Sequence, residues 1–351
     1  WKRLCLRRDF TCNAMAWDLD RGILVDPMEG APDIAAGVLR QTGPQSLPSD
    51  PLRLYRAAQF CARFDWRPEP ETLASLKLVV DRLASLPRER VTREWEKLLC
   101  LADSPDAGLA CLREWGVIAA LHPELEALAQ CPQDPIHHPE GNVWIHTLLV
   151  VEQAAGLARQ HGVVAEERLI LLLAALLHDI GKPATTRRDG QRVTAHGHER
   201  AGVEPAAQWL AQFCFGENID LAVLDCVAHH MRPAALTRQI EAGELSPSQQ
   251  VNALRRLLRD LQKVNWPTFL LLCEADRRGR GVVVEEFAPA RVLGELLERQ
   301  PVLELSQQPL LRGRDLLPLG ILPGKEMGMW IQRVEEARDQ GLIETFEQAV
   351  D

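Results

Sequence analysis

The stretch LILLLAALLHDIGKP, residues 169–183, decides the architecture of this chain. It reads as a buried helix that ends on His178-Asp179, with Gly181 as its C-terminal stop. Upstream, NVWIHTLLVVEQAAGLA (142–158) places His146 on a helix whose other face is apolar. Downstream, TAHGHER supplies His196 and His198, CVAHHMRP supplies His229 and His230, and LLCEADRRGR supplies Asp276. A lone histidine on an apolar helix is ordinarily a satisfied core residue. Here histidines recur at several helix ends, and one runs directly into Asp-Ile-Gly-Lys, which argues for a site at His178 and Asp179. His146 and Asp276 join it on the same argument; for His196 and for His229 beside its neighbour, core and site readings stand level. Neutral imidazoles with carboxylates suit a divalent transition metal, which polarises a phosphoryl oxygen and lowers the pKa of bound water.

The ordered set His146, His178-Asp179 and Asp276 resembles the H…HD…D pattern of the HD phosphohydrolase superfamily. The resemblance implies that these four residues hold a metal, that His178 and Asp179 are catalytic, and that phosphate esters are hydrolysed. His198 and His230 resemble the additional ligands or phosphate contacts of better-equipped members of that superfamily.

Composition bounds the rest. The 351 residues suggest two or three domains, and 46% hydrophobic content suffices for packed cores. No stretch of about 18 apolar residues is free of charge, so a membrane span is not expected. No secretory signal precedes the first motif. The nine cysteines are scattered and include no C-x-x-C pair, which points to free thiols in a reducing cytoplasm. The net charge of −9 speaks to solubility, while local basic stripes remain able to bind phosphate. Such stripes occur at Lys2, Arg3, Arg7 and Arg8; at Arg88, Arg90, Arg93 and Lys97; at Arg255, Arg256, Arg259 and Lys263; and at Arg277, Arg278 and Arg280. Each also fits the solvated face of a helix.

A second polar cluster opens the chain in LCLRRDFTCNAMAWD (4–18). Arg7 and Arg8 suit triphosphate oxygens, Asp9 a ribose hydroxyl, and Asn13 the backbone or a base. AMAWDLDRGILVDP (14–27) reads as two short strands around Asp20-Arg21-Gly22. Asp18 and Asp20 have D-x-D spacing, but a hairpin turn explains them. From Asp50 the texture turns helical: DPLRLYRAAQFCARF sets Leu52, Tyr55, Ala58 (or Gln59) and Ala62 at helical spacing, with Asp50 as N-cap and Pro51 first in the helix. Further helices are expected across 70–84, 88–102 and 105–116.

The run RRDFTCNAMAWD…DP…G…D resembles the class II tRNA nucleotidyltransferases, which include CCA-adding enzymes and bacterial poly(A) polymerases. SDPLRLYRAAQFCARFDW (49–66) resembles that family's base-reading helix, ERVTREWEKLL (89–99) its neck motif, and LGILPGKEMG (319–328) its tail near the tRNA elbow. The similarity covers nearly the whole chain, and the HD set favours the CCA-adding branch. It implies tRNA, CTP and ATP as partners, no obligate protein partner, and Mg²⁺ for nucleotidyl transfer. Arg8, Asp9, Asn13, Asp50, Arg53 and Arg56 would bind nucleotide, with Asp50 and Arg53 on the Watson–Crick edge. Ser49 departs from the family's glutamate, which could clamp Arg53 by a charge-assisted bond. A second departure is that only six residues precede the Arg-Arg-Asp run. The family's Gly-rich helix start and D-x-D pair lie upstream of that run, so an N-terminal truncation lacking the transfer carboxylates is expected.

The expected fold is therefore mainly α. It comprises the remnant of a nucleotidyltransferase α/β head (1–48), a helical neck (49–130), a helical HD domain (131–285) and a helical tail (286–351). The expected function is CCA addition with a metal-dependent phosphohydrolase, in the cytoplasm. Its rivals are an HD phosphohydrolase whose nucleotide site serves only recognition, and a noncatalytic tRNA-binding protein.

Overall fold

The computed structural model describes residues 1–190, 192–281, 284–299, 310–339, 342–343 and 345–350. Parts of the expected tail, 300–309 among them, lie outside the described residues. The described chain is mainly helical, with strands only in two-stranded pairs.

The hairpin read from 14–27 forms as β1 (Ala16–Asp18) and β2 (Ile23–Val25), antiparallel, with Trp17 opposite Leu24. Asp18 Oδ1 accepts from the backbone N–H groups of Asp20 and Arg21, both at 3.1 Å. That is the local role expected of turn aspartates. Val38–Leu39 then pairs in parallel with Arg67–Pro68, so the front segment is stitched to the neck through its backbone.

Helix α1 (Arg53–Phe64) buries Leu54, Tyr55, Ala57, Ala58, Cys61 and Ala62. The regular helix begins at Arg53, later than expected, but Asp50, extended (φ −147°, ψ 94°) as a capping residue is, accepts from Leu52 N on Oδ1 at 3.3 Å and from Arg53 N on its carbonyl at 3.1 Å. The Asp50 carboxylate is drawn outward to Arg90, 2.9 Å away. Helix α2 (Arg88–Leu101) faces the core with Trp95, Leu98 and Leu99. Helix α3 (Pro105–Glu114) crosses α1 at Gly108, where a Cβ would meet Leu98 Cδ1 and Ala58 O.

Helix α4 (Val143–Gln160) is capped by Asn142, whose side chain accepts from Ile145 N at 3.0 Å. Helix α5 (Ala165–Leu177) is buried without interruption from Leu169 to Leu177, because neighbours pack around all of it. Helices α6 (Val203–Leu210), α7 (Glu217–His229) and α8 (Trp266–Gly279) complete this layer. At Gly279 a Cβ would stand 3.1 Å from Val150 N, so the missing side chain lets α8 and α4 touch backbone to backbone.

One hydrophobic core runs from Phe10 through Trp95 and the α4–α5–α8 layer to Phe287, so front, neck and histidine-rich region pack as a continuum. Smaller cores, around Leu236, Leu254 and Leu293 and around Leu311, Leu316 and Met327, serve the later helices. The amphipathic tail helix is Lys325–Asp339, and the short terminal one is Phe346–Val350.

Candidate metal centre and nucleotide pocket

The end of α5 delivers His178 and Asp179 into the interior, 0% and 2% exposed. Gly181 does not act as the left-handed stop expected of it; its φ is −83° and it leads into the next helical turn. Its role is space. A Cβ there would collide with His198 O and the backbone of Gly202, so glycine lets the turn carrying His198 press against the end of α5.

Four imidazoles and two carboxylates converge. Asp179 Oδ2 lies 3.2 Å from His178 Nε2 and 3.6 Å from His146 Nε2, and Asp179 Oδ1 lies 3.1 Å from His198 Nε2. Asp276 Oδ1, from α8, stands 3.1 Å from His146 Nε2. His198 Nε2 and His230 Nε2 are 3.2 Å apart. Of the pairs His196/His198 and His229/His230, only these members enter the centre. His196 lines the outer cavity, and His229 turns away to Arg232.

Three rings have Nδ1 on a backbone carbonyl: His178 on Ala175 O (2.9 Å), His198 on Ala195 O (2.8 Å) and His230 on Val227 O (2.9 Å). A carbonyl only accepts, so Nδ1 carries the proton and, whenever the ring is neutral, its Nε2 presents a lone pair to the centre. Lone pairs facing carboxylates and one another form an unfavourable arrangement that a cation reverses. His178 Nε2 is buried without a hydrogen-bond partner. This mixed imidazole and carboxylate donor set fits a divalent transition ion, which His146, His178 and Asp179, or Asp179, His198 and His230, could hold, with Asp276 beside His146 Nε2.

Without an ion, the same contacts set the ionisation of these groups. Burial opposes charge on Asp179, but His178, Lys182 and His198 outweigh it and hold the carboxyl well below the usual range. Asp276 is likewise held low against burial, by Arg280 and His146. Burial and then the neighbouring His178 drop His230 to about 3, keeping it neutral. His146 and His198 are raised, because their carboxylate neighbours overcome burial.

Residues that the sequence did not assign to this centre surround it. Lys182 Nζ reaches Asp179 Oδ2 at 2.7 Å, and Arg280 reaches Asp276 Oδ2 at 3.1 Å. His138 and Glu140 arrive from the link 131–141, where the signal was a His-His-Pro-Glu run that reads first as a domain boundary. The cavity outside the centre measures about 530 Å³, and Lys182, Arg192, Arg238 and Arg280 give its wall positive charge.

A second cavity, about 440 Å³, opens between the front segment and the neck. It gathers Arg7, Arg8, Asp9, Asp50, Arg53 and Arg56 with Arg90, Arg93 and Lys97 of α2. Asp9 is buried and paired with Arg56 at 2.7 Å, while Asn13 donates to it from behind at 3.2 Å. Burial opposes the Asp9 charge, but Arg56 and the backbone N–H of Phe10 lower its pKa overall. The Arg53 guanidinium donates to Arg7 O (2.6 Å), Arg8 O (3.0 Å), Ser46 O (2.9 Å) and Ser46 Oγ (3.0 Å). Ser49 donates to Ser46 O instead of touching Arg53, so the clamp on Arg53 comes from Ser46. Arg88, counted in the same basic stripe, leaves the pocket: it donates to Gln212 O (3.0 Å) and Phe213 O (2.7 Å), past the end of α6.

Residues 2–40 match the poly A polymerase head domain, 66–128 the probable RNA and SrmB-binding site of polymerase A, and 143–262 the HD domain. A multifunctional CCA protein of Alkalilimnicola ehrlichii is 37% identical over 297 residues, 82% of this chain and 67% of that protein. The chain belongs to the multifunctional CCA protein family. Members from Actinobacillus pleuropneumoniae serotype 5b and Thioalkalivibrio sulfidiphilus are each 37% identical over 78% of this chain. The chain spans 64% of the length of each of those two relatives. Among solved structures, a CCA-adding enzyme in complex with ATP aligns with a TM-score of 0.54 at 20% identity, covering 99% of this chain and 71% of that one. A Thermotoga maritima CCA-adding enzyme complexed with tRNA aligns at 0.51 and 19%, covering 99% and 73%. At these identities the structural likeness establishes the family fold. Among the described residues, no helix is long and apolar enough to cross a membrane.

Proposed function

We propose that this chain binds tRNA with CTP and ATP in the service of CCA addition to tRNA 3′ ends, and that its HD centre is a metal-dependent phosphohydrolase. The observation that carries the first part is the cavity between front segment and neck, where seven cationic side chains surround Asp9 and Asp50. Such a cavity suits a polyphosphate beside groups that read a base. Arg8 and Arg56 are assigned to phosphate, Asp9 to a ribose hydroxyl, and Asp50 and Arg53 to the Watson–Crick edge, with Asn13 bracing Asp9. Mg²⁺ is the ion proposed for the transfer step. The nine free cysteines support the cytoplasm as compartment.

For the HD centre, a bound divalent ion supplies Lewis acidity and a low-pKa water. The chain's own part is to aim the Nε2 lone pairs, to keep Asp179 and Asp276 ionised, and to set Lys182 and Arg280 where phosphate oxygens enter. The proposed substrates are 2′,3′-cyclic or monoester phosphates. The nucleotide reading is tested by equilibrium dialysis with labelled CTP and ATP: Arg56→Ala is expected to weaken both at least tenfold, and unchanged binding sinks it. The hydrolase reading is tested with Mn²⁺ or Ni²⁺ and a cyclic phosphate; activity should vanish in His178→Ala, and hydrolysis surviving that change counts against the centre.

A further inference from the structure

One buried carboxylate approaches the metal centre from behind its ligand atoms. Glu140 precedes α4, its side chain 4% exposed, and its Oε1 lies 2.8 Å from Nδ1 of His146 and 2.8 Å from Nδ1 of His138. The local chain is built to put it there. Gly141 takes a φ of +129°, open to glycine and strained for other residues, and Asn142 then caps α4. The link thus turns Glu140 back against the first turn of the helix that carries His146. The two rings stand edge to face, their centroids 5.0 Å apart.

His138 Nδ1 is hydrogen-bonded to this oxygen, and His146 Nδ1 stands against it at ion-pair distance, 2.8 Å; a ring nitrogen that close to a carboxylate oxygen carries a proton, because two lone pairs would repel. With the proton on Nδ1, Nε2 of His146 is a lone pair directed at Asp276 Oδ1 and Asp179 Oδ2. The other three imidazoles of the centre are fixed by backbone carbonyls, which no side-chain substitution removes. His146 alone depends on a side chain for its orientation.

We propose that Glu140 is the positioning residue of this centre: it holds His146 in the Nδ1–H tautomer with Nε2 turned inward, and fixes His138 at the cavity wall through the same oxygen. The proposal rests on reading the centre as a metal site. Carboxylates in this relation to a ligating histidine set both ring orientation and ligand basicity, and their loss typically weakens metal binding 10–100-fold.

The test uses the full chain, with Mn²⁺ binding measured by equilibrium dialysis and the His146 tautomer by nitrogen NMR of labelled histidines at alkaline pH. Glu140→Ala is expected to weaken Mn²⁺ roughly 10–100-fold at unchanged stoichiometry, and to turn the Nδ1–H signal of His146 into a tautomer mixture. Glu140→Gln, whose amide oxygen still accepts, should keep the tautomer and lose less affinity. Its folded spectrum also guards against misfolding of the alanine variant. Wild-type affinity or an unchanged tautomer in Glu140→Ala overturns the proposal. Loss of one whole Mn²⁺ equivalent, with the remainder bound as tightly as before, overturns it too, because Glu140 would then be a ligand. If the wild-type chain binds no Mn²⁺, the metal reading fails, while the tautomer of the metal-free protein still decides the part played by Glu140.

Discussion

His198 Nε2 and His230 Nε2 face each other across 3.2 Å, although each ring has already committed its Nδ1 to a backbone carbonyl. Two buried lone pairs held that close repel unless a proton or a cation lies between them. Burial drops the His230 pKa to about 3, so the groove between the rings is filled either by a proton on His198, which Asp179 holds there, or by a cation in its place.

Mn²⁺ or Ni²⁺ should therefore raise the melting temperature, and a chelator should reverse the rise. Ligand at 100 times its Kd adds about 2.7 kcal/mol. In a chain of this size that is a few degrees. His230→Ala should shrink the shift and His178→Ala should abolish it. A melting temperature indifferent to every divalent ion tried would remove the metal assignment.

Two glycines should respond oppositely to alanine. Gly181→Ala drives a methyl into the backbone at His198 and Gly202, and is expected to destabilise by about 1–3 kcal/mol or to displace His198. Gly156 lies inside α4 with open space where a Cβ would stand, so Gly156→Ala should stabilise by about 0.5–1 kcal/mol. Urea denaturation of both variants measures the contrast; equal effects would contradict the close approach at Gly181.

Arg53 straps residues 7, 8 and 46 together through one guanidinium. Arg53→Ala should lower stability by about 1–3 kcal/mol, and Arg53→Lys should not restore it, since a point-like ammonium cannot span these acceptors. A double-mutant cycle with Ser46→Ala should show coupling of at least about 0.5 kcal/mol. Additive losses would mean that the Ser46 contact does not hold Arg53.

His122 is 3% exposed, sits among Trp95, Trp209 and Phe213, and has no hydrogen-bond partner on either ring nitrogen. Burial drops its pKa from 6.5 to about 4. Between those values the unfolded chain binds the proton and the folded chain does not, so the contribution is complete above pH 6.5 and is lost as pH falls toward 4. His122→Phe keeps the ring stacking and removes the titration. It should be more stable than wild type at pH 5 by a margin larger than at pH 7, the pH-dependent part reaching at most about 3 kcal/mol. A pH-independent difference in urea midpoint would show that His122 is accessible to protons when folded.

Much of the architecture was legible because it depends on local chemistry. Leu169–Leu177 is buried on every side and could only be a core helix, and the turn at Asp18–Gly22 is made by the side chain of Asp18 itself. The HD set was legible because its chemistry demands those residue types in that order. Elsewhere local rules stopped short. Gly181 reads as a helix stop, yet a turn near His198 is what requires it, and Asp50, which caps Leu52 with one oxygen, gives the other to an arginine 40 residues away.

The sequence by itself determined which segments are helical, which histidines and aspartates could hold a metal, and which stripes are basic. Tertiary structure alone decided which basic residues face a cavity and which serve as struts. Arg90 enters the cavity between front segment and neck, whereas Arg88, two residues earlier on the same helix, binds carbonyls at Gln212 and Phe213. It alone also brought Glu140 to the back of His146 and chose His198 and His230 over His196 and His229. The reason is physical. Helical and turn preferences act over a few residues and are written in the chain. The partner of a buried charge or lone pair is fixed only when distant segments pack against each other and exclude water.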